Sequence, residues 1–205
     1  MLLDKSRFPL LSWLEDHALA MISEAQHLQV GDTQPWPYAD ASTLPWLGVP
    51  LLERGSGHPL EFDPASAERV APETVALLQE RPEITCAAFS ILTPGAHILP
   101  HVDTKPDGTL RAHLGLVVPP ECGIRIGPSF VHIDDGESLL FEGRIDHEAA
   151  NASDVPRTVL LVDFRLDARE RAYLDRELAK VDSHWFQAGA GAGLFGPEII
   201  TGVRT

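Results

Sequence analysis

Ile84-Thr-Cys-Ala-Ala-Phe-Ser-Ile-Leu-Thr-Pro-Gly-Ala-His-Ile-Leu-Pro-His-Val-Asp103 is where the chain changes texture. The run Thr85–Leu92 is cut by the turn signal at 93–95 and resumes as Ala96–Leu99, the pattern of two short strands joined tightly. Similar runs follow at Leu110–Val118, Gly123–Ile126, Phe130–Ile133, Glu137–Phe141, Asp146–Ala150 and Arg157–Phe164, punctuated by turn residues at 105–108, 119–120 and 134–136. About eight short strands in roughly 80 residues predict a barrel or jelly roll rather than a sheet that alternates with helices.

Outward from this core the periodicity turns helical. Pro9–His27 places Leu11, Leu14, Ala18, Met21, Ile22 and Ala25 on one apolar stripe, with Ser12 as the expected N-cap. Residues 31–65 are rich in Pro, Gly and aromatics and read as an ordered loop region with short strands. Pro72–Arg81 predicts a short helix packed through Val75, Leu77 and Leu78, and Asp167–Lys180 predicts another packed through Tyr173, Leu174 and Leu178. The stretch Ala188–Gly196 is too glycine-rich to stand alone as helix or strand and reads as a mobile tail or a lid. The expected class is α+β, mainly β, as one domain over 1–205: a helical part over about 9–83, a β core over about 84–166, and a C-terminal helix and tail over 167–205.

Composition narrows the function classes. Hydrophobic residues make up 44% of the 205 and charged residues 22%, which are globular proportions. A formal net charge of −14 with only 16 scattered Lys and Arg argues against a nucleic-acid partner or an anionic membrane surface. The segment Met1–Pro9 has no secretory pattern, so the expected compartment is the cytoplasm. Cys86 and Cys122 read as reduced core thiols, not a disulfide framework. The oligomeric state is left open.

The chemistry concentrates in Pro100-His101-Val-Asp103 and in His147. Side chains two apart on a strand share a face, so His101 and Asp103 can aim inward together while His147 completes a triangle from a facing strand. Two imidazoles and one carboxylate on one side of a metal leave positions open for oxygen and a chelating cosubstrate, as non-haem Fe(II) oxygenases require. Arg157 opens the last strand, where its planar guanidinium can pair with the far carboxylate of a dicarboxylate.

Four blocks in order then carry a resemblance: Phe89-Ser90 through His101, Leu110-Arg111-Ala-His113-Leu-Gly-Leu-Val-Val-Pro119, Cys122-Gly-Ile-Arg-Ile126, and His147-Glu-Ala-Ala-Asn151 with Arg157-Thr-Val-Leu-Leu-Val-Asp163. Over about 9–166 the chain resembles the aspartyl/asparaginyl β-hydroxylase family. The resemblance implies a double-stranded β-helix of the jelly-roll or cupin-like kind that uses Fe(II), 2-oxoglutarate as cosubstrate, and O2. It implies iron ligation by His101 and His147, a distal-carboxylate role for Arg157 assisted by Ser90, and contact of Arg111 and His113 with the other carboxylate. A core histidine is the competing reading of His113. The family's vertebrate branch has glycine where Asp103 stands, whereas its lipid A branch has a His-x-Asp like this one, so the third-ligand role of Asp103 rests on geometry and on that branch. The block before the second histidine is altered here to Phe141-Glu-Gly-Arg-Ile-Asp146, and Arg144 becomes a candidate for the substrate pocket.

The resulting expectation is a dioxygenase that hydroxylates a C–H bond of a small molecule, a free amino acid or natural-product intermediate, with pocket walls from residues 31–60 and the C-terminal tail. A peptidyl or carrier-bound Asp/Asn-type residue is the alternative substrate. A cupin-like metal enzyme without 2-oxoglutarate and a ligand-binding sensor barrel are the alternative functions.

Overall fold

The computed structural model describes residues 1–55 and 60–193. Its centre is a six-stranded antiparallel sheet of β1 (Gln34–Pro35), β2 (Trp46–Glu53), β3 (Ile84–Leu92), β10 (Arg157–Arg165), β5 (Thr109–Val117) and β8 (Ser138–Phe141), adjacent in that order. Facing it is a four-stranded antiparallel sheet of β4 (His97–His101), β9 (His147–Asn151), β6 (Cys122–Ile126) and β7 (Ser129–Val131). This is the jelly roll the strand spacing called for.

Period-two alternation gives the major sheet two different faces. One carries Ala87, Phe89 and Ile91 of β3, Leu110, Ala112, Leu114 and Leu116 of β5, and Leu160, Val162 and Phe164 of β10, all buried. Onto it pack α1 (Pro9–Asp16), α2 (Ala18–Ala25), α3 (Pro64–Val70) and α4 (Pro72–Gln79), through Leu11, Leu14, Met21, Ala67, Val75 and Leu78. The other face looks toward the minor sheet. There Ala88, Val159 and Leu161 meet Ile124 and Ile126, and the same strands also turn Ser90, Arg111, His113, Arg157 and Asp163 inward. After the core, α5 (Ala168–Leu178) starts on a reciprocal capping box between Asp167 and Glu170 and packs Leu174, Tyr173 and Leu178.

The structure corrects several local expectations. The single helix over 9–27 is two, broken at His17, whose ring Nδ1 lies 2.7 Å from the Trp13 carbonyl. Ser12 is not the N-cap: the buried Phe8 precedes a Pro at the first helical position, where a fixed φ suits helix entry. The loop region 31–65 contains an eight-residue strand, β2, and the start of α3, capped by Asp63. Pro50 in that strand falls at an irregularity of the β2–β3 register, where proline is tolerated. Both cysteines are free and buried. The tail from 188 to 193 is docked on the minor sheet, and the rest of the expected tail or lid, from 194, lies outside the described residues.

Leu160 is fully buried at the middle of the major sheet, between Phe89 and Leu114. Leu160→Ala is expected to cost about 2–5 kcal/mol in denaturant unfolding, with the cavity adding to the lost transfer energy.

Candidate active site

His101 ends β4 and His147 begins β9, and the strand register sets them opposite one another with ring centroids 4.2 Å apart. Asp103 follows the end of β4, its amide donating to the Gly143 carbonyl at 2.7 Å. One ligand atom from each of His101, Asp103 and His147 lies within 4.8 Å of the others. Both imidazoles are held from behind. His101 Nδ1 lies 2.7 Å from the Leu99 carbonyl and His147 Nδ1 lies 2.9 Å from that of Ile145. With Nδ1 donating to these carbonyls, each ring keeps its Nε2 lone pair for the site, the tautomer a metal ligand needs.

The electrostatics favour the ligating forms. Burial and then the neighbouring His101 push the His147 imidazole down to about 4, so it is neutral at pH 7. Burial works against ionisation of Asp103, yet Arg111, His147, Lys105 and His101 outweigh it and hold the carboxyl below its usual range. Gly143 leaves the space this carboxylate occupies: a Cβ there would stand 2.9 Å from Asp103 Oδ2 and 3.0 Å from its Cβ.

Arg111 reaches from β5 to Asp163 of β10 with a two-pronged bond, Nε to Oδ1 at 2.7 Å and Nη2 to Oδ2 at 2.8 Å. Its remaining nitrogen, Nη1, sits 3.8 Å from Asp103. Lys105 Nζ also donates to Asp163, at 3.0 and 3.1 Å. Burial would raise the Asp163 carboxyl, but these two cations hold it down to about 2.

Ser90, Arg111, His113 and Arg157 line one small pocket with His101, Asp103 and His147. The structure thus brings together the seven residues the sequence assigned to metal and cosubstrate. Arg157 is 3% exposed, its Nε has no hydrogen-bond partner, and it forms no ion pair among the described residues. Burial lowers its pKa. His113 Nδ1 is likewise buried without a partner, and burial followed by the charge of Arg157 pushes the imidazole well below its ordinary value. Ser90 Oγ accepts the indole N–H of Trp46 at 2.8 Å, which leaves the hydroxyl proton for another acceptor. Trp46 stacks on Trp36, centroids 4.4 Å apart and 6° from parallel, and walls the pocket from an open cleft of about 910 Å³.

That cleft runs from His101 and Asp103 past Trp36, Tyr38, Lys105 and Arg165. Residues 36–55 supply one wall, as expected, whereas among the described residues none after Leu166 lines it. Of the tail, Gly189 and Gly191 dock on the far side of the minor sheet, and residues from 194 on lie outside the described residues. Arg144 forms a bidentate pair with Glu142 and lines neither pocket, its side chain half exposed. Sequence reading passed over Trp46, Lys105, Gly143 and Asp163. Only Asp163 carried a signal, its even spacing from Arg157 along one strand.

Two outcomes test this geometry. Gly143→Ala is expected to weaken Co(II) binding roughly tenfold while leaving the fold intact by circular dichroism, because the displaced carboxylate is a ligand candidate. Asp163 has a depressed folded-state pKa, so its contribution is complete above the unfolded value of about 3.9 and is lost as pH falls toward about 2. Stability measured from pH 5 to 2 should lose about 2–3 kcal/mol from this group. Asp163→Asn should flatten that slope.

Residues 15–166 match the family described as Aspartyl/Asparaginyl beta-hydroxylase. The chain is 40% identical over 99 residues to an ornithine lipid ester-linked acyl 2-hydroxylase of Rhizobium tropici, a match covering 47% of this chain and 35% of that protein. It is 38% identical over 100 residues to the human aspartyl/asparaginyl beta-hydroxylase, covering 45% of this chain and 13% of that one. The matches thus span well under half the length of either relative. Among solved structures, an oxidoreductase of the 2OG-Fe(II) oxygenase family from Burkholderia pseudomallei superposes with a TM-score of 0.50 at 14% identity, over 76% of this chain and 82% of that one, a likeness of fold. With three quarters of its length inside the family's match and a jelly roll beneath it, this chain belongs to the aspartyl/asparaginyl β-hydroxylase family.

Proposed function

We propose that the chain is an Fe(II)- and 2-oxoglutarate-dependent dioxygenase that hydroxylates a C–H bond. The observation that carries this reading is Arg157, a buried guanidinium without an anionic partner among the described residues, on the same pocket as His101, Asp103 and His147. A buried, uncompensated cation costs several kcal/mol. A dicarboxylate that reaches it from the metal side removes that cost and explains why the arginine is there.

His101, Asp103 and His147 would hold the iron, and their donor set of two imidazoles and one carboxylate suits it. When bound, iron with 2-oxoglutarate supplies the oxidation by O2 that yields succinate, CO2 and a hydroxylated product. The protein's own groups bind and orient. Arg157 would pair with the distal carboxylate, and Ser90, whose oxygen already accepts from Trp46, would donate its hydroxyl proton to the same carboxylate. His113 and Arg111, which line the same pocket, would contact the other end of the cosubstrate. The apolar side chains of Ile124, Val159 and Leu161 keep water from the pocket.

For the substrate we propose an amino acid or a derivative of one, entering through the cleft. A volume of about 910 Å³ is far more than a free amino acid fills, which favours the form in which the residue is carried on a larger molecule. That the relatives are named for lipid-acyl and aspartyl/asparaginyl hydroxylation points the same way.

Mixed anaerobically with Fe(II) and 2-oxoglutarate, the protein is expected to develop the weak visible band of the chelate. Arg157→Ala should weaken 2-oxoglutarate binding by roughly tenfold or more, the loss of about 1.5–3 kcal/mol in charged hydrogen bonds. Wild-type protein that binds iron but never shows the band would sink the cosubstrate assignment in favour of a cupin-like enzyme or sensor. Succinate release with free versus peptidyl or acylated amino acids then decides the substrate class.

A further inference from the structure

On the face of the minor sheet turned away from the pocket lies a second polar cluster. Arg125 is fully buried there. Its Nη2 donates to Asp146 Oδ2 at 2.5 Å, its Nε to Glu148, and its Nη1 to the Gly127 carbonyl at 2.8 Å. His97 Nε2 lies 2.7 Å from the other oxygen of Glu148. Asp146 and Glu148 flank His147, and alternation along the strand turns them outward while His147 turns in.

The chain after α5 covers this cluster. The amides of Gly189 and Gly191 donate to the two carboxylate oxygens of Asp146, at 2.5 and 2.9 Å. Gly191 lies so close over the Arg125 guanidinium that a Cβ at this position would collide with it. Val181, Trp185 and Phe186 pack against the cluster that holds Ile126 and Ile145. All of these covering residues fall beyond the segment matched to the family, which ends at 166.

One peptide unit joins the two faces. The Ile145 carbonyl faces His147 Nδ1 at 2.9 Å, and the N–H of the same peptide, that of Asp146, donates to the Trp185 carbonyl at 2.7 Å. The hydrogen-bond chain therefore runs from the His147 imidazole through a single peptide plane into the covering segment, and such chains polarise and align their members.

We infer that residues 185–191 form a strap that positions His147, with Asp146 as the residue that fastens it. This rests on the reading of His101, Asp103 and His147 as a metal site. Strap and metal are coupled: docking fixes the Ile145–Asp146 peptide, and that peptide fixes the imidazole's tautomer and direction. By reciprocity a metal on His147 must stabilise the docked strap.

The test uses the full chain and Co(II) alone as the probe, read through its visible d–d band. Gly191→Leu is expected to undock the strap, seen as chymotrypsin cleavage after Trp185 and Phe186, and to weaken Co(II) binding at least tenfold with an altered band. Leu78→Ala, buried in the helical layer, should lower thermal stability yet keep wild-type affinity and band. Cleavage with unchanged Co(II) binding would overturn the inference, as would a variant whose strap stays protected. The wild-type protein gives a second arm that needs no variant. Co(II) should slow hydrogen exchange at the Gly189 and Gly191 amides more than at Leu160 in the central strand, and equal slowing at all three would refute the coupling. Wild-type protein that binds no Co(II) would instead refute the metal site itself.

Discussion

Three strands, β3, β10 and β5, each carry two incompatible chemistries on opposite faces, and the rest of the structure follows from keeping those faces apart. Toward the helices they offer Phe89, Leu160, Phe164 and Leu114; toward the minor sheet they offer Ser90, Arg157, Asp163, Arg111 and His113. A one-residue slip in register would exchange the faces and bury five polar side chains in oil. The four helices make the apolar face permanent, and the minor sheet closes the polar one into a pocket.

That pocket is expensive to hold. Asp163 offsets Lys105 and Arg111, at the cost of drawing three charges out of water. Nothing among the described residues does the same for Arg157. The fold has thus kept an interior cation that packing alone does not want, and its stability is lower for it. Behind the minor sheet the opposite solution applies. Arg125 is as deeply buried, but two carboxylates and two backbone carbonyls give each of its three nitrogens a partner, so that cluster braces the sheet.

What could be read from the sequence was whatever has a short period or a fixed spacing. The alternation from Ile84 onward announced the β core, His101 and Asp103 two apart announced a shared face, and Arg157 at the head of an apolar strand announced an inward cation. Helix propensity and charge interleaving gave α5 within a residue or two. Contacts between distant segments left no such trace. Trp46 touches Ser90 across 44 positions, and Gly191 rests on Arg125 across 66, so neither pair can be found by scanning neighbours. Gly143 reads as a plain turn residue until Asp103 is seen in the space a side chain would fill. Short strands are expected in 31–65, but the length and bounds of β2 escaped because its Gly48 and Pro50 argue locally for a loop, and only pairing with β3 overrides them. The break at His17 is hidden by a stripe of apolar residues that continues across it.

The stacked indoles of Trp36 and Trp46 have a consequence of another kind. Two parallel chromophores at 4.4 Å share their excited states, and one of them is tied by its N–H to Ser90 in the pocket, while the other faces the cleft. Only two further tryptophans, Trp13 and Trp185, contribute to the ultraviolet spectrum. The molecule therefore carries a native optical gauge: a change at Ser90 or in the cleft perturbs a stacked indole pair, so occupancy of either compartment becomes legible in the ultraviolet spectrum without any label.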